Sequence, residues 1–166
     1  VSKYWPEFAK NGKEKTTVQM MLNHESAIPA LREPVKTGGF LDWDYMIKRM
    51  EDEPAWWEPG TRNGYHMVNF GWTVGELVRR VSGKSLGQFF ADEVAGPTGA
   101  KFWIGLPDGV EPHMAAILPY IPQKGDPVSD FAGLLMGDPS SIQALSFVNN
   151  GGWGANDADA HRAEIG

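Results

Sequence analysis

Apolar side chains recur at the spacing of an amphipathic helix in two stretches of this chain. The first stretch, 43–53, has Asp42 as its predicted N-cap and ends at Pro54, because proline cannot continue a helix. Its apolar face consists of Trp43, Met46, Ile47 and Met50. The second stretch, 70–81, carries an i, i+3, i+4, i+7 stripe and ends at Gly83. The members of that stripe are Val74, Leu77, Val78 and Val81.

Three shorter helices are predicted toward the two ends of the chain. Residues 16–22 form the first, and either Thr16 or Thr17 is its N-cap, because a threonine hydroxyl accepts hydrogen bonds from first-turn N–H groups. The other two are predicted near the end of the chain, over 130–136 and 139–147.

The middle of the chain combines a helix with the clearest strand prediction. The helix, 86–95, has Ser85 as its N-cap, and its predicted stop is the dipeptide at 96–97, Gly-Pro. Its inward-facing side chains are predicted to be Phe89, Phe90 and Val94. Residues 101–106 are predicted to be a strand, and residues 114–120 predict a strand or a buried connection.

These elements predict a mostly α fold with short strands, in a single domain over 1–166. A length of 166 residues suits one domain, and the chain shows no internal repeat or interdomain linker. The segment 108–166 is rich in loops. A Gly/Asn/Asp-rich loop is predicted over 149–159, with Trp153 as its only large apolar anchor.

Composition and charge narrow the classes of function. Hydrophobic residues make up 42% of the chain and charged residues 22%, which supports a packed core. The net charge of -6 argues against a nucleic-acid partner, because such partners need a basic surface. No window reaches the ~18 apolar residues that a membrane-spanning helix needs, so no membrane partner is predicted. The cellular compartment stays open.

Metal and thiol chemistry find little support in the sequence. The chain has no cysteine, which excludes disulfides, thiol catalysis and cysteine-based zinc sites. Its histidines show no i, i+4 pairing of the kind that ligands on one helix share; they are His24, His66, His113 and His161. An Asp-x-Asp run at 156–161 lacks the glycine and glutamate of a calcium loop.

Residues 83–87 match the G-x-S-x-G pattern of a nucleophile elbow. That elbow needs a strand before its serine, whereas an amphipathic helix precedes this one. Ser85 is therefore interpreted as a helix cap. The Gly-Lys-Ser triplet is not a phosphate-binding loop either, because Val78 occupies the position of that motif's first glycine.

Tyr65 is the candidate for catalytic chemistry. It follows a turn at Pro59-Gly60 and precedes the helix over 70–81, so its hydroxyl is predicted to project from a loop. Two interpretations stay open: a half-buried structural tyrosine, which is the commoner role, and a catalytic proton acceptor. The second requires a cationic neighbour, because a free phenol has a pKa near 10. No such neighbour lies beside Tyr65 in sequence.

Several runs of residues occur together in the first two thirds of the chain. They are T-V-Q-M-M-L-N-H-E-S at 17–26, P-G-T-R at 59–62 before Y-H at 65–66, G-E-L-V-R-R-V-S-G-K-S at 75–85, G-P-T-G-A at 96–100 and F-W-I-G-L-P at 102–107. In this order they resemble the serine β-lactamase-like superfamily. The resemblance is closest to its carboxylesterase branch, which shares the fold of class C β-lactamases and penicillin-binding proteins. It covers most of 1–107 and is weaker over 108–166.

The resemblance implies that the chain is the helical portion of a β-lactamase/transpeptidase-like α/β fold. In this superfamily the serine of an S-x-x-K motif attacks a carbonyl, while the lysine and the tyrosine of a Y-x-N motif handle protons. It therefore implies that Tyr65 shuttles a proton between the serine and the leaving group, with its pKa lowered by a nearby lysine. It implies no metal and no organic cofactor.

The chain departs from the family pattern at several positions. No serine is followed by a lysine three positions later, so the nucleophile is expected before Val1 and the family's later strand motif beyond Gly166. Met67 replaces the asparagine of Y-x-N, which the esterase branch tolerates and which argues against lactam binding. Ala27 and Thr98 replace a glycine and a leucine.

The expected function is that of a fragment of a serine hydrolase, inactive alone, that cleaves carboxylic esters or, less favoured, β-lactams through an acyl-serine intermediate. The alternative is a non-catalytic binding or structural module that keeps the cleft and lacks the chemistry. The expected partner is a small ester substrate. Apolar surface uncovered by truncation is expected to favour self-association.

Overall fold

Helices account for all regular secondary structure in the described part of the chain. The computed structural model describes residues 1–110, 113–118, 120–121, 123–148 and 158–164. The α-helices in these residues are α1 (Val18–Leu22), α2 (Trp43–Asp52), α3 (Phe70–Ser82), α4 (Leu86–Phe90), α5 (Gly96–Thr98), α6 (Asp130–Gly137), α7 (Ile142–Val148) and α8 (Ala158–Arg162). Two 3₁₀ turns, Pro6–Phe8 and Gly39–Leu41, precede α1 and α2, and a π-helical turn, Ala91–Ala95, joins α4 to α5. The mostly α fold class is confirmed. None of the described helices has the length and apolar character needed to cross a membrane.

The predicted helix starts are confirmed by side-chain hydrogen bonds at three N-caps. The caps and the N–H groups that donate to them are Thr17 with Met20 at 3.1 Å, Asp42 with Tyr45 at 3.1 Å and Ser85 with Gln88 at 3.2 Å. Each bond satisfies a first-turn donor that the helix itself leaves unpaired. Thr17, rather than Thr16, caps α1. Gly83 ends α3 in the left-handed conformation, with φ +73°.

The strand predicted over 101–106 is wrong. The N–H of Leu106 donates to the carbonyl of His161 at 2.8 Å, and Gly105 turns the backbone with φ +77°. A strand requires a continuous ladder with a neighbouring strand, and no such partner lies among the described residues. The strand or buried connection predicted over 114–120 is also wrong where it is described, because residues 114–118 are irregular and exposed.

The predicted helix stop at Gly96-Pro97 is wrong as well. The helical path continues through the π-helical turn and α5, and it ends at Gly99, where φ is +67°. Pro97 stands in α5 directly after the π-helical turn, where the hydrogen-bond pattern shifts as the N–H of Gly96 donates to the carbonyl of Ala91. The inward orientation predicted for Val94 is wrong, since its side chain is exposed, and Phe89 and Phe90 are half-buried.

The C-terminal predictions fall partly outside the described residues. The two helices predicted over 130–136 and 139–147 are confirmed as α6 and α7. Most of the loop predicted over 149–159, with its anchor Trp153, lies outside the described residues, and α8 begins at Ala158.

The apolar core lies where α2 and α3 pack against the N-terminal segment. Met46, Ile47 and Met50 are buried as predicted, and Trp43 packs against them. The other buried members of this cluster are Trp5, Phe8, Met21, Ile28, Leu31, Val35, Phe40, Trp72 and Leu77. Burial of these large side chains stabilises the two loops that run between the helices.

Most of the apolar stripe on α3 faces an open groove. Of its four members only Leu77 belongs to the buried core, and Val81 is 63% exposed. The groove has a volume of about 330 Å³, and its remaining apolar walls come from the N-terminal segment, α1, α3 and α4, with Tyr4, Val18, Met21, Leu22, Val74, Val78 and Phe89. Exposed apolar surfaces of this kind often mark sites of association, and the expected self-association stays a prediction.

A buried carboxylate joins α2 to α3. Glu76 accepts hydrogen bonds from Nε1 of Trp43 at 2.9 Å, from Nε of Arg79 at 2.7 Å and from Nε of Arg80 at 2.7 Å. Burial by itself raises the pKa of Glu76, but these hydrogen bonds outweigh it and hold the pKa below its ordinary value. The carboxylate therefore stays ionised and fixes α3 against α2.

Candidate active site

Tyr65 lies on the loop that connects α2 to α3, and its side chain is 59% exposed. Its ring packs against the imidazole of His24, with 4.8 Å between ring centroids, and lies 6.3 Å from the ring of Phe147 on α7. Within the described residues its hydroxyl makes no hydrogen bond. The ring is thus exposed rather than half-buried, and its role in proton transfer stays a prediction.

The loop that carries Tyr65 is bound to a second loop, 23–28, which follows α1. The donor and acceptor pairs between them are Trp56 N–H to Ala27 O at 2.8 Å, Gly60 N–H to Glu25 O at 2.9 Å, Gly64 N–H to His24 O at 3.0 Å and, from the start of α3, Asn69 Nδ2 to Ile28 O at 3.0 Å. These carbonyl groups find their partners across the junction and not within their own loop. Neither loop can move without breaking several hydrogen bonds.

The loop 23–28 holds two non-glycine residues in the left-handed region. His24 has φ +60° and Ala27 has φ +63°. This conformation brings Cβ too close to the carbonyl oxygen and costs about 1–2 kcal/mol per residue. A positive φ also explains why the resembled family has a glycine at the position of Ala27. Strain of this kind tends to collect at functional sites.

His24 reaches Tyr65 through its ring and the Tyr65 loop through a hydrogen bond. Its Nδ1 accepts from the main-chain N–H of His66 at 3.1 Å. A ring nitrogen that accepts carries no proton, so neutral His24 is protonated on Nε2. Burial lowers the pKa of His24, which favours this neutral form.

Ser26 and His66, the residue that follows Tyr65, form a buried pair. Oγ of Ser26 lies 2.8 Å from Nε2 of His66, and Nδ1 of His66 is bonded to the carbonyl of Gly64. Because a carbonyl only accepts, Nδ1 carries the proton and the Ser26 hydroxyl donates to Nε2. Burial lowers the pKa of His66 to about 4, helped by nearby His24 and opposed by the bond to Gly64. His66 is therefore neutral near pH 7.

This pair has the spacing of a nucleophile and its base but not the accessibility. The side chains of Ser26 and His66 are 1% and 2% exposed, and a pKa of about 4 makes His66 a weak base. In the described structure the pair holds the loop in place and is out of reach of a substrate. The two residues stand 40 positions apart. A search for i, i+4 spacing misses them, and their place in two runs that resemble the superfamily is the only sequence signal.

The histidines do not assemble a metal site in the part of the chain that the structure describes. His24 and His66 approach each other, with 5.5 Å between ring centroids, while His113 and His161 lie outside this cluster. Among the described residues, no group of three or more histidine, aspartate or glutamate side chains is arranged to hold a metal ion.

Comparison with known proteins places this arrangement in a family. A family model described as beta-lactamase matches residues 1–162. The esterase/beta-lactamase LipL of Mycobacterium tuberculosis (strain H37Rv) is 33% identical over 100 residues, which are 58% of this chain and 22% of that protein. The chain thus spans about a fifth of the length of this curated relative.

Solved structures share the same helical arrangement. A penicillin-binding protein homologue from Caulobacter crescentus matches 99% of this chain and 42% of its own, with a TM-score of 0.79 and 26% identity. A family VIII carboxylesterase matches 71% of this chain and 33% of its own, with a TM-score of 0.69 and 45% identity. EstA from Arthrobacter nitroguajacolicus Rue61a matches 88% and 43%, with a TM-score of 0.65 and 30% identity. The chain corresponds to the helical portion of the fold that these proteins share, spans less than half of each, and belongs to the β-lactamase family.

Proposed function

We propose that this chain supplies the proton-shuttling tyrosine of a serine esterase that works through an acyl-serine intermediate. The observation that carries the proposal is the exposed ring of Tyr65 on a loop fixed by hydrogen bonds to its neighbour. Two observations favour an ester over a lactam. The matched carboxylesterase is 45% identical to this chain, and Met67 stands where the Y-x-N motif has asparagine.

In the proposed reaction Tyr65 acts as a phenolate. Its Oη accepts the proton of a serine hydroxyl while the serine Oγ forms a bond to the ester carbonyl carbon. The tetrahedral intermediate then expels the alkoxide, which takes that proton from Tyr65. Water repeats the sequence on the acyl-serine, releasing the acid and restoring the serine hydroxyl. A phenolate near pH 7 requires a cation beside it, which is the role of the lysine in S-x-x-K.

No S-x-x-K motif occurs in residues 1–166, so we propose that this chain alone has no esterase activity. Catalytic groups that act as a unit lose almost all of their effect when the nucleophile is removed. The test compares the 166-residue chain with the product of the uninterrupted reading frame that contains it. Both are assayed with p-nitrophenyl butyrate and with a serine-directed fluorophosphonate probe, and we expect turnover and labelling from the second protein alone.

A substitution at Tyr65 tests its role in the active protein. Tyr65→Phe is expected to lower kcat/KM by about 10²- to 10⁴-fold, the usual contribution of a positioned proton-transfer group. Tyr4→Phe is the matched control, because Tyr4 is also exposed but lines the apolar groove. Full activity of Tyr65→Phe would contradict the proposed role of this residue.

Two other outcomes would change the assignment. Stoichiometric labelling of the 166-residue chain would contradict its proposed inactivity, and loss of the label in Ser26→Ala would identify Ser26 as the nucleophile. A reading-frame product that lacks S-x-x-K and hydrolyses no ester would support the alternative, a non-catalytic binding or structural module.

A further inference from the structure

We propose that His24 is a positioning residue that orients the ring of Tyr65 for proton transfer. The inference rests on the proposed function of Tyr65 and adds the residue that fixes its geometry. His24 makes three contacts with Tyr65 and the two residues beside it. Its ring packs on the Tyr65 ring at 4.8 Å, its carbonyl accepts from the N–H of Gly64 at 3.0 Å, and its Nδ1 accepts from the N–H of His66 at 3.1 Å. One residue therefore fixes the main chain on both sides of Tyr65 as well as its ring.

The backbone of His24 is part of this arrangement. Its φ of +60° is uncommon for a residue other than glycine, and it accompanies a geometry in which the carbonyl and the imidazole both bind the same loop. The ring of Phe70, at 4.7 Å, and that of His66, at 5.5 Å, enclose the imidazole together with Tyr65. Rotation of the imidazole would break these contacts, so the face that it presents to Tyr65 is fixed.

The buried pair of Ser26 and His66 supports His24 from the protein interior. The Ser26 hydroxyl and the Gly64 carbonyl hold the His66 ring through its two nitrogens. Fixing this side chain also fixes the main-chain N–H of His66, which is the donor to His24. The contacts thus run from Ser26 through His66 and His24 to Tyr65, and each imidazole in the series has a defined tautomer.

Orientation matters here because the Tyr65 side chain is mostly surrounded by solvent. An exposed tyrosine without such a contact exchanges among staggered side-chain rotamers. Packing against His24 restricts that exchange and holds the hydroxyl in one region of space. A reacting group displaced by about 1 Å loses on the order of 10²-fold in rate.

Two substitutions separate the ring of His24 from its hydrogen bond. His24→Asn keeps an acceptor near the position of Nδ1 and a side chain that tolerates positive φ, but it removes the ring. His24→Phe keeps a ring and removes the acceptor. His113→Asn is the matched control, because His113 is an exposed histidine outside this cluster.

NMR spectroscopy of the 166-residue chain measures the geometry without requiring activity. In His24→Asn we expect the Tyr65 ring-proton signals to move toward those of a tyrosine with no imidazole beside it, while the amide signals of Gly64 and His66 stay in place. In His24→Phe we expect the His66 amide signal to move. Unchanged Tyr65 ring signals in His24→Asn would overturn the inference, and this variant remains informative if His24→Phe does not fold.

Kinetics of the active reading-frame product provide the second arm. His24→Asn is expected to lower kcat by about 10- to 100-fold with KM within about twofold, and to have no further effect in a Tyr65→Phe background. A wild-type kcat for His24→Asn beside an impaired Tyr65→Phe would overturn this inference alone. An equal loss in both backgrounds would indicate a general structural role and would also overturn it. Full activity of Tyr65→Phe would instead overturn the proposed function.

Discussion

Acid is expected to weaken this protein through one buried histidine. Burial penalises the charged form of His66 and lowers its pKa in the folded protein from 6.5 to about 4. A base whose pKa falls on folding binds protons more readily in the unfolded chain, so the contribution of His66 to stability is complete above pH 6.5 and is lost as pH drops toward 4. A shift of about 2.5 pKa units, at about 1.36 kcal/mol per unit, corresponds to about 3 kcal/mol.

The variant His66→Gln isolates this contribution. Its amide oxygen lies near the position of Nε2, where the Ser26 hydroxyl donates, and it does not titrate. The free energy of unfolding of both proteins is measured by urea denaturation at a series of pH values between about 7 and about 4. All other titrating groups are common to the two proteins, so the difference between their pH dependences reports His66.

We expect the wild-type protein to lose about 3 kcal/mol more than His66→Gln over this pH range, with unchanged m-values. Near neutral pH the variant itself is less stable by about 1–2 kcal/mol, because the bond from Nδ1 to the Gly64 carbonyl is missing. Parallel pH dependences in the two proteins would refute the buried, neutral state of His66.

Four further predictions concern other parts of the chain. Ser85→Asp is expected to be less stable than Ser85→Asn by about 1 kcal/mol in urea denaturation, although both residues usually cap helices well. The reason is that Glu164 lies 2.7 Å from the Ser85 hydroxyl, so an aspartate there would face a second carboxylate, and equal unfolding midpoints would contradict this. Glu76→Gln is expected to cost about 2 kcal/mol near pH 7, and the difference should shrink in acid as wild-type Glu76 loses its charge through its lowered pKa; a constant difference would argue against the ionised state. Ala27→Gly should stay within about 1 kcal/mol of the wild type, since relief of left-handed strain offsets the lost methyl group, whereas Ala27→Val should cost more than about 2 kcal/mol in the same denaturation assay. We propose that a second copy of the chain covers the apolar groove, so sedimentation velocity should detect a concentration-dependent dimer that Val81→Lys weakens; a monomer at every concentration would contradict it.

Helix starts were predictable because their signals are local. A cap residue such as Thr17 or Asp42 meets its acceptor or donor within three residues, so neighbouring sequence contains all of the chemistry. The same holds for Gly83, which ends α3 through its own backbone conformation.

The wrong predictions share a different cause. The apolar run at 101–106 has the composition of a strand, but a strand forms only when a neighbouring strand accepts and donates its main-chain hydrogen bonds. The N–H of Leu106 instead donates to the carbonyl of His161, which is 55 positions away. A Gly-Pro pair usually ends a helix, yet here the helical path runs on through the π-helical turn into α5, and Pro97 does not end it. In both places a distant contact or the preceding geometry decides the outcome.

The candidate site divides in the same way. Its sequence neighbours place Tyr65 on a loop before a helix, and that position is observed. The contacts of Tyr65 with His24, and of Ser26 with His66, join residues about 40 positions apart, and no periodicity in the chain connects them.

By itself the sequence determined where α2, α3 and α4 begin, which face of α2 is buried and which family motifs the chain carries, because capping, periodicity and motif matching use neighbouring residues. The tertiary structure alone decided which loops meet, that Ser26 and His66 are buried together, and that an imidazole from one loop lies against Tyr65 on another. The physical reason is that burial, hydrogen bonding and pKa depend on atoms brought together by folding, and the chain must close before those contacts exist.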